Sequence, residues 1–338
     1  MAQLYLTQQG SRLQKEHGRF RLSVPDRDAI NIPMQEVEQV MVFGNVQITT
    51  PTIAACLTRQ IPVMFLSQSG TYRGHLWRAD YDNYRTEAAQ FDRFGQIEWQ
   101  FAVARAIVVG KAWNSKQLLL KLNRRQGEAV IVEGIRRIDR DLAAVNQLSP
   151  SSSTLDQLRG YEGAIAAHYF PALGRLITPP EFEFTTRRRR PAPDPVNALL
   201  SFGYTLLFNN VLSLLHLEGL NPYLGNLHRS DRHETQLAFD LMEEFRSPIV
   251  DTLVLTLLNQ RVIQPDDFLP PKPNGAVYLN DVARGRYLQA FEDRIMTAIQ
   301  HPDARESVPY RRVIQLQIRR YQQCLLSDSP YEPFRRVT

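Results

Sequence analysis

The sequence predicts an α+β protein, a β-rich N-terminal module followed by a larger all-α domain, and three observations predict it. Residues 1–80 carry short runs of strand character separated by turn residues: YLTQ, GRFRLSV, the alternation at 29–32, EQVMVFG, VQIT, PVMFLS and YRGHLW. From about Asp92 the pattern changes to helical periodicity, beginning with FGQIEWQFAVARAIVVGKAWNSKQLLLKLNRR. A chain of 338 residues is also long enough for two cores. The change of pattern places the boundary between residues 80 and 92, giving domains 1–88 and 89–338.

One helix is expected inside the β-rich module, at residues 51–59, where Pro51 suits a first turn and Ile53, Ala54 and Leu57 supply one face. In the second domain a polar loop at 146–154 precedes the helix that carries Glu162. Pro179, Pro180, Pro191, Pro193 and Pro195 then mark 181–194 as an extended arm before a helix starting near Val196. The apolar run 198–217 contains Asn209 and Asn210, polar groups that are costly in lipid, so it reads as a buried helix with no membrane contact. The first residues lack the apolar core of a signal peptide. Cys56 and Cys324 are too few for a disulfide framework or a thiolate zinc site, which suits a reducing cytoplasm.

Forty Lys and Arg against thirty-five Asp and Glu leave a net charge of +5, so distribution matters more than the sum. The run Arg187, Arg188, Arg189 and Arg190, followed by Pro191, is the best candidate for contacts to a polyanion's phosphates. Arg105, Lys111 and Lys116 on an early helix, and Arg312, Arg319 and Arg320 on a late one, could widen that surface. The plainer reading is a solvated loop, or ion pairs with Glu181 and Glu183. No GxSxG elbow, phosphate-binding GxxxxGK[ST] loop or HExxH zinc motif is present.

The most informative stretch is GNLHRSDRHETQLAFDLMEEFR, residues 225–246. On a helix at ~100° per residue, Asp240 and Glu243 lie within roughly 60° of each other, opposite a stripe of Leu237, Ala238, Leu241, Met242 and Phe245. His228 sits upstream in a loop. Glu162 falls in the same helical sector as Leu158, Ile165 and Tyr169, a carboxylate where burial is expected, and a cation would partner it. Oxygen ligands with one imidazole suit Mn²⁺ or Mg²⁺ better than a structural zinc. A plainer arrangement fits the same spacing: Asp240, Glu243 and Glu244 as a solvated face, His228 as a loop residue, and Glu162 paired with Arg159. A zinc pair of His228 and His233 is disfavoured, since a spacing of five does not stack two residues on one helical face.

Three blocks in order, LRGYEGAIAAHYF, FTTRRRRPAPDPVNALLSFGYTLL and GLNPYLGNLHRSDRHETQLAFDLMEEFRSPIVD, resemble the CRISPR-associated adaptation integrases, the universal Cas protein one family of metal-dependent DNA endonucleases. INIP, VQITTPTIAACLTRQIPVMFLSQSG and YRGHL look like that family's β-domain. Tyr161, where a smaller apolar residue is frequent, and Ala192, in place of a common second proline, depart from the pattern. The resemblance implies an N-terminal β-sandwich used for dimerisation and a helical catalytic domain. It implies a homodimer, pairs of which are joined by Cas protein two, with Cas protein four as a further candidate partner. Carried over residue by residue, it puts the catalytic metal ligands for Mg²⁺ or Mn²⁺ on Glu162, His228 and Glu243, with Asp240 as a neighbour able to bind directly or through water. The implied activity inserts short foreign DNA, a prespacer duplex, into the CRISPR leader–repeat by attack of each 3′-hydroxyl on a repeat phosphodiester. The DNA contacts would fall on Arg187, Arg189, Arg190, Arg105 and Lys111. The competing class is a noncatalytic DNA-binding scaffold that has kept the fold; such a scaffold is expected to lose one of the three ligands, and all three are present.

Overall fold

A computed structural model describes residues 2–68, 70–77, 84–124, 127–189, 191–228, 234–327 and 329–336. The chain divides into two compact units, Met1–Asp82 and Asn83–Thr338. The division falls a little before the expected 88/89, so the helix at 84–93 lies whole in the second unit.

The first unit holds β1 (Ala2–Leu6), β2 (Arg12–Glu16), β3 (Arg19–Ser23), β4 (Ile30–Pro33), β5 (Val37–Phe43), β6 (Gln47–Ile48), α1 (Thr50–Thr58), β7 (Val63–Leu66) and β8 (Tyr72–Leu76). They form two four-stranded sheets, ordered β1-β5-β7-β8 and β4-β3-β2-β6. β5 pairs in parallel with both β1 and β7, and it is buried at every position but Glu38, as a strand covered on both faces must be. The parallel step from β5 to β7 needs a crossover, and α1 supplies it, with Pro51 in its first turn. Leu6, Leu13, Phe20, Val40 and Val63, drawn from both sheets, share one core with Ala55 and Cys56 of α1. β2 went unforeseen because Leu13 is its one fully buried side chain. What defines it is the tight turn to β3, where His17 and Gly18 both take positive φ, as a two-residue hairpin requires.

The second unit is built from α2 (Tyr84–Arg93), α3 (Ile97–Asn123), α4 (Ala129–Gln147), α5 (Ser152–Gly174), α6 (Pro195–Leu217), α7 (Gln236–Met242), α8 (Thr252–Asn259), α9 (Asp281–Ile295) and α10 (Tyr310–Leu326). The expectation of an all-α domain is corrected by a small antiparallel ribbon, β9 (Ala298–Ile299) with β10 (Val308–Pro309), which turns the chain between α9 and α10. α5 opens on a reciprocal cap: the Ser151 hydroxyl accepts from the Thr154 amide, and the Thr154 hydroxyl accepts from the Ser151 amide. α6 opens on Asp194, whose carboxylate accepts from the Asn197 amide, with Pro195 at its first position. Among the described residues α6 alone is long and apolar enough to cross a membrane, and it is mostly buried within the unit as a core helix.

The expectation of one regular helix carrying the stripe from Leu237 to Phe245 is also corrected. α7 tightens into a 3₁₀ turn (Glu243–Phe245) and then widens into a π-helical turn (Arg246–Asp251) before α8 resumes. Pro248 is the physical reason: it has no N–H to give the carbonyl four residues back and its ring crowds that carbonyl. The carbonyl is that of Glu244, and the Asn114 side-chain amide of α3 donates to it at 2.8 Å. Every residue from Asp240 to Val250 is buried, so the segment is the middle of the unit. Asp251 closes the turn, its buried carboxylate accepting from the Tyr169 hydroxyl at 2.7 Å and the Tyr204 hydroxyl at 2.5 Å.

Candidate functional site

Glu243 stands at the centre of the site. Its side chain is 0% exposed, an expensive place for a carboxylate unless charge is brought to it. Arg246, one turn on, sets Nη2 2.9 Å from Oε1, and Lys111 of α3 sets Nζ 2.7 Å from Oε2. Burial alone would raise this carboxyl, but Arg246, Lys111 and His228 outweigh it and hold it near 2. Glu243 is therefore ionised. Neither of its oxygens makes a hydrogen bond of good geometry, so the ion pairs neutralise it without saturating it.

His228 comes from the loop before α7. The Asp240 carboxylate fixes that loop: Oδ2 accepts the amides of Asn226 at 2.5 Å and Leu227 at 2.9 Å, while Oδ1 accepts the amide of His228 at 2.9 Å and lies 2.8 Å from its Nδ1. Four donors use the roughly four lone-pair sites of a carboxylate, so Asp240 orients His228 and has little left for a metal. Of the two alternatives left to it, direct binding or binding through water, these contacts leave the less room for the direct one. Burial would lower the imidazole's pKa, but the hydrogen bond to Asp240 and the charges of Asp240 and Glu243 raise it overall. His228 Nε2 then faces Glu243, 3.8 Å from Oε1. Gly225 is required where the loop crosses α7, because a Cβ there would lie 2.6 Å from Cβ of Gln236.

Glu162 arrives from α5 and pairs with the same Lys111 ammonium. It does not pair with Arg159, which instead contacts Asp156 and donates from Nε to the Leu227 carbonyl at 2.6 Å, tying the His228 loop to the helix of Glu162. The solvated-face alternative is likewise overturned, since Asp240, Glu243 and Glu244 are all buried. Among the described residues no three His, Cys, Asp or Glu side chains close into a ligand set, and the Lys111 ammonium lies between two of the three candidates. The donors nevertheless fit a divalent cation: two carboxylates already converge on one positive charge, one of them, Glu243, has unsaturated oxygens, and an imidazole oriented by a carboxylate faces Glu243. His233 and Arg190 lie outside the described residues.

Sequence reading missed the residues behind the ligands. Glu244 points away from Glu243 and accepts from Tyr331 Oη at 2.7 Å, the Phe334 amide at 2.6 Å and Gln317 Nε2 at 3.1 Å. Burial pushes its carboxyl up to about 7 despite these donors. Asn114 donates to the Glu244 and Phe334 carbonyls and accepts the Arg336 amide, so segment 329–336 is strapped under the turn that carries Glu243. The available signals were an asparagine within a long helix and a proline within a helical run.

The expected phosphate contacts separate. Lys111 is drawn into the carboxylates and is not an open surface charge. Arg187 also turns inward, donating to Asn197 Oδ1 at 2.8 Å and Ser201 Oγ at 2.9 Å, with its guanidinium over the Tyr204 ring. Arg246 lies over that ring too, at 4.8 Å from its centroid. Arg189 is exposed and Arg105 half-buried, its guanidinium over Phe101. Lys116 pairs with Asp139, Arg319 with Glu218 and Arg320 with Asp303.

A strand-rich unit followed by a helical unit that gathers two carboxylates and an imidazole defines a class of protein with one acidic candidate centre, set in its helical part. Residues 4–293 match the model of the family described as CRISPR associated protein Cas1. The CRISPR-associated endonuclease Cas1 1 of Thermus thermophilus is 36% identical over 98% of this chain and 98% of its own. A CRISPR-associated exonuclease Cas4/endonuclease Cas1 fusion of Geobacter sulfurreducens is 36% identical over 88% of this chain and 54% of its own. Among solved structures, a Cas1 protein from Thermotoga maritima superposes with a TM-score of 0.81 at 24% identity, covering 98% of this chain and 99% of that one. A casposase bound to integration product gives 0.83 at 21% identity over 100% and 96%. A Cas6-RT-Cas1–Cas2 complex gives 0.82 at 22% identity over 100% of this chain and 36% of that one. The chain belongs to the Cas1 family.

Proposed function

We propose that this chain is a CRISPR adaptation integrase, a metal-dependent DNA endonuclease and transesterase that inserts short foreign DNA into a CRISPR array. The observation that carries the proposal is the convergence of Glu162 and Glu243, from separate segments, on one positive charge, with His228 Nε2 facing Glu243. Glu162, His228 and Glu243 would hold Mg²⁺ or Mn²⁺, which when bound polarises a scissile phosphate and lowers the pKa of an attacking hydroxyl. Asp240 keeps the His228 ring in place through Nδ1, leaving Nε2 toward the carboxylates. Arg246 keeps Glu243 ionised without entering the coordination set. Arg189 and Arg105 would meet DNA phosphates, positioning the duplex without reading its bases.

In strand transfer a new bond from the 3′-oxygen to phosphorus replaces the one that breaks, so one diester is exchanged for another and no energy source is consumed. The endonuclease names of the relatives support the nucleolytic half of this reading, and the casposase likeness supports the fold for joining. The Cas4 fusion and the Cas1–Cas2 neighbour support Cas2, and Cas4 as a further candidate, among the partners. We read the two N-terminal sheets as the layers of a dimerising sandwich, and the assembly as cytoplasmic homodimers, pairs of which are joined by Cas2 on leader–repeat DNA.

The test is transfer of a labelled short duplex into a supercoiled repeat plasmid, with Cas2 and either metal. His228→Ala or Glu162→Ala is expected to remove joining, by at least about 100-fold, while duplex binding in a shift assay stays within a few fold. Joining at the parent rate by either variant moves the chemistry elsewhere, and no joining by the parent protein under either metal leaves the noncatalytic scaffold.

A further inference from the structure

We propose that the Lys111 ammonium is the site's resident counter-cation: it holds Glu162 and Glu243 together in the metal-free protein and competes with the divalent ion for them. This rests on the reading of the site given above. Lys111 is fixed by its helix, its side chain is 11% exposed, and its one charge contacts both carboxylates. Without it Glu162 would lose its ion pair and keep only the more distant charge of Arg246, and Glu243 would keep Arg246 on one oxygen only.

Two features separate this arrangement from an ordinary buried ion pair. Both Glu243 oxygens are buried with no hydrogen-bond donor beyond the Lys111 and Arg246 charges, so withdrawal of Lys111 would leave Oε2 open to a metal. The paired residues are also two of the three candidate ligands, brought from α5 and the turn after α7 to the face of α3 that carries Lys111. Two carboxylates brought together in a poorly hydrated site repel strongly unless a cation lies between them. A lysine suits that task because its ammonium is a point charge on a flexible four-carbon stem, able to withdraw when a doubly charged ion arrives, whereas a forked guanidinium would stay. The same residue therefore pre-assembles the site and sets a threshold for filling it, since the metal must displace an internal competitor.

The test measures metal binding directly. Lys111→Met keeps the stem and removes the charge; Mn²⁺ titration by calorimetry is expected to show affinity tighter by roughly tenfold. Melting without metal should fall and the Mn²⁺-induced rise in Tm should grow. Lys111→Arg should bind Mn²⁺ no more tightly than the parent protein. In the parent protein, acetylation of Lys111 read by mass spectrometry should speed up severalfold when Mn²⁺ is added, a measurement that requires no variant to fold. Unchanged or weaker Mn²⁺ affinity in a folded Lys111→Met, or acetylation that Mn²⁺ leaves unchanged or slows, overturns the proposal. If the parent protein binds Mn²⁺ and His228→Ala does not, such a result counts against the role of Lys111 alone; no Mn²⁺ binding by the parent protein overturns the reading of the site with it.

Discussion

His301 shows how far from the ligands a single side chain can matter. It is buried, with Nε2 3.0 Å from Gln317 Oε1 and Nδ1 accepting the Asp303 amide at 3.1 Å. Gln317 in turn donates to Glu244, so a neutral imidazole sits at the start of a path that ends beside Glu243. Burial is the main cause that lowers its pKa below 6.5, opposed by the Gln317 hydrogen bond. The unfolded chain therefore takes up the proton first as the pH falls, and the contribution of His301 to stability is present above 6.5 and lost below it. Glu244 and His228, whose folded pKa values are raised, act in the opposite sense, so His301 is read as a difference: in metal-free buffer the urea midpoint of the parent protein relative to that of His301→Asn should drop between pH 7 and pH 5, and a difference that does not change with pH would remove His301 from the account. Glu162, His228 and Glu243 are singled out by the family resemblance, since their spacing alone fits a solvated helix face as well as a metal site. Asp240 could be noticed but not assigned, because spacing on an ideal helix does not say which carboxylate is spent on backbone amides.

At the scale of elements, the turn from Glu243 to Asp251 depends on a donor from a different helix. Asn114 serves three backbone groups at once: the Glu244 and Phe334 carbonyls and the Arg336 amide. Asn114→Leu, similar in size, leaves all three unpaired in a buried place, at about 1–3 kcal/mol for each group that water cannot reach. The urea midpoint should fall accordingly, and limited proteolysis should reach segment 329–336 first. A midpoint within error of the parent protein would mean that the strap is held by Tyr331 and Phe334 alone. The order of strands and helices was largely legible in alternation and periodicity, including α1 and the buried α6. The break in α7 was not, because its cause, Pro248, takes effect only where Asn114 can answer it, and the two are far apart in the chain.

For the whole molecule, a net charge of +5 says little about where a polyanion binds, because most of the basic clusters that stand out in the sequence are answered within the fold. Arg311 pairs with Glu292, Arg319 with Glu218 and Arg320 with Asp303, while Arg187 and Lys111 point inward. Arg189 remains exposed. Replacing Arg189 by alanine should therefore weaken duplex binding and reduce its salt slope by about 1, whereas alanine at Arg319 and Arg320 together should leave the slope unchanged. Fluorescence anisotropy across a salt series reads both, and a slope that follows the α10 arginines would relocate the DNA path.

The π-helical turn Arg246–Asp251 fixes the number of residues here as firmly as their identity. Glu243 enters the site from one end of the turn, and Asp251 is held at the other by Tyr169 and Tyr204. Removing one residue between them would rotate all that follows by ~100° and draw it back by ~1.5 Å. Asp251 would then miss both hydroxyls, or Glu243 would leave Lys111. A one-residue deletion along this stretch is therefore expected to do as much damage as losing Glu243 or Asp251 itself, even with every remaining side chain unchanged.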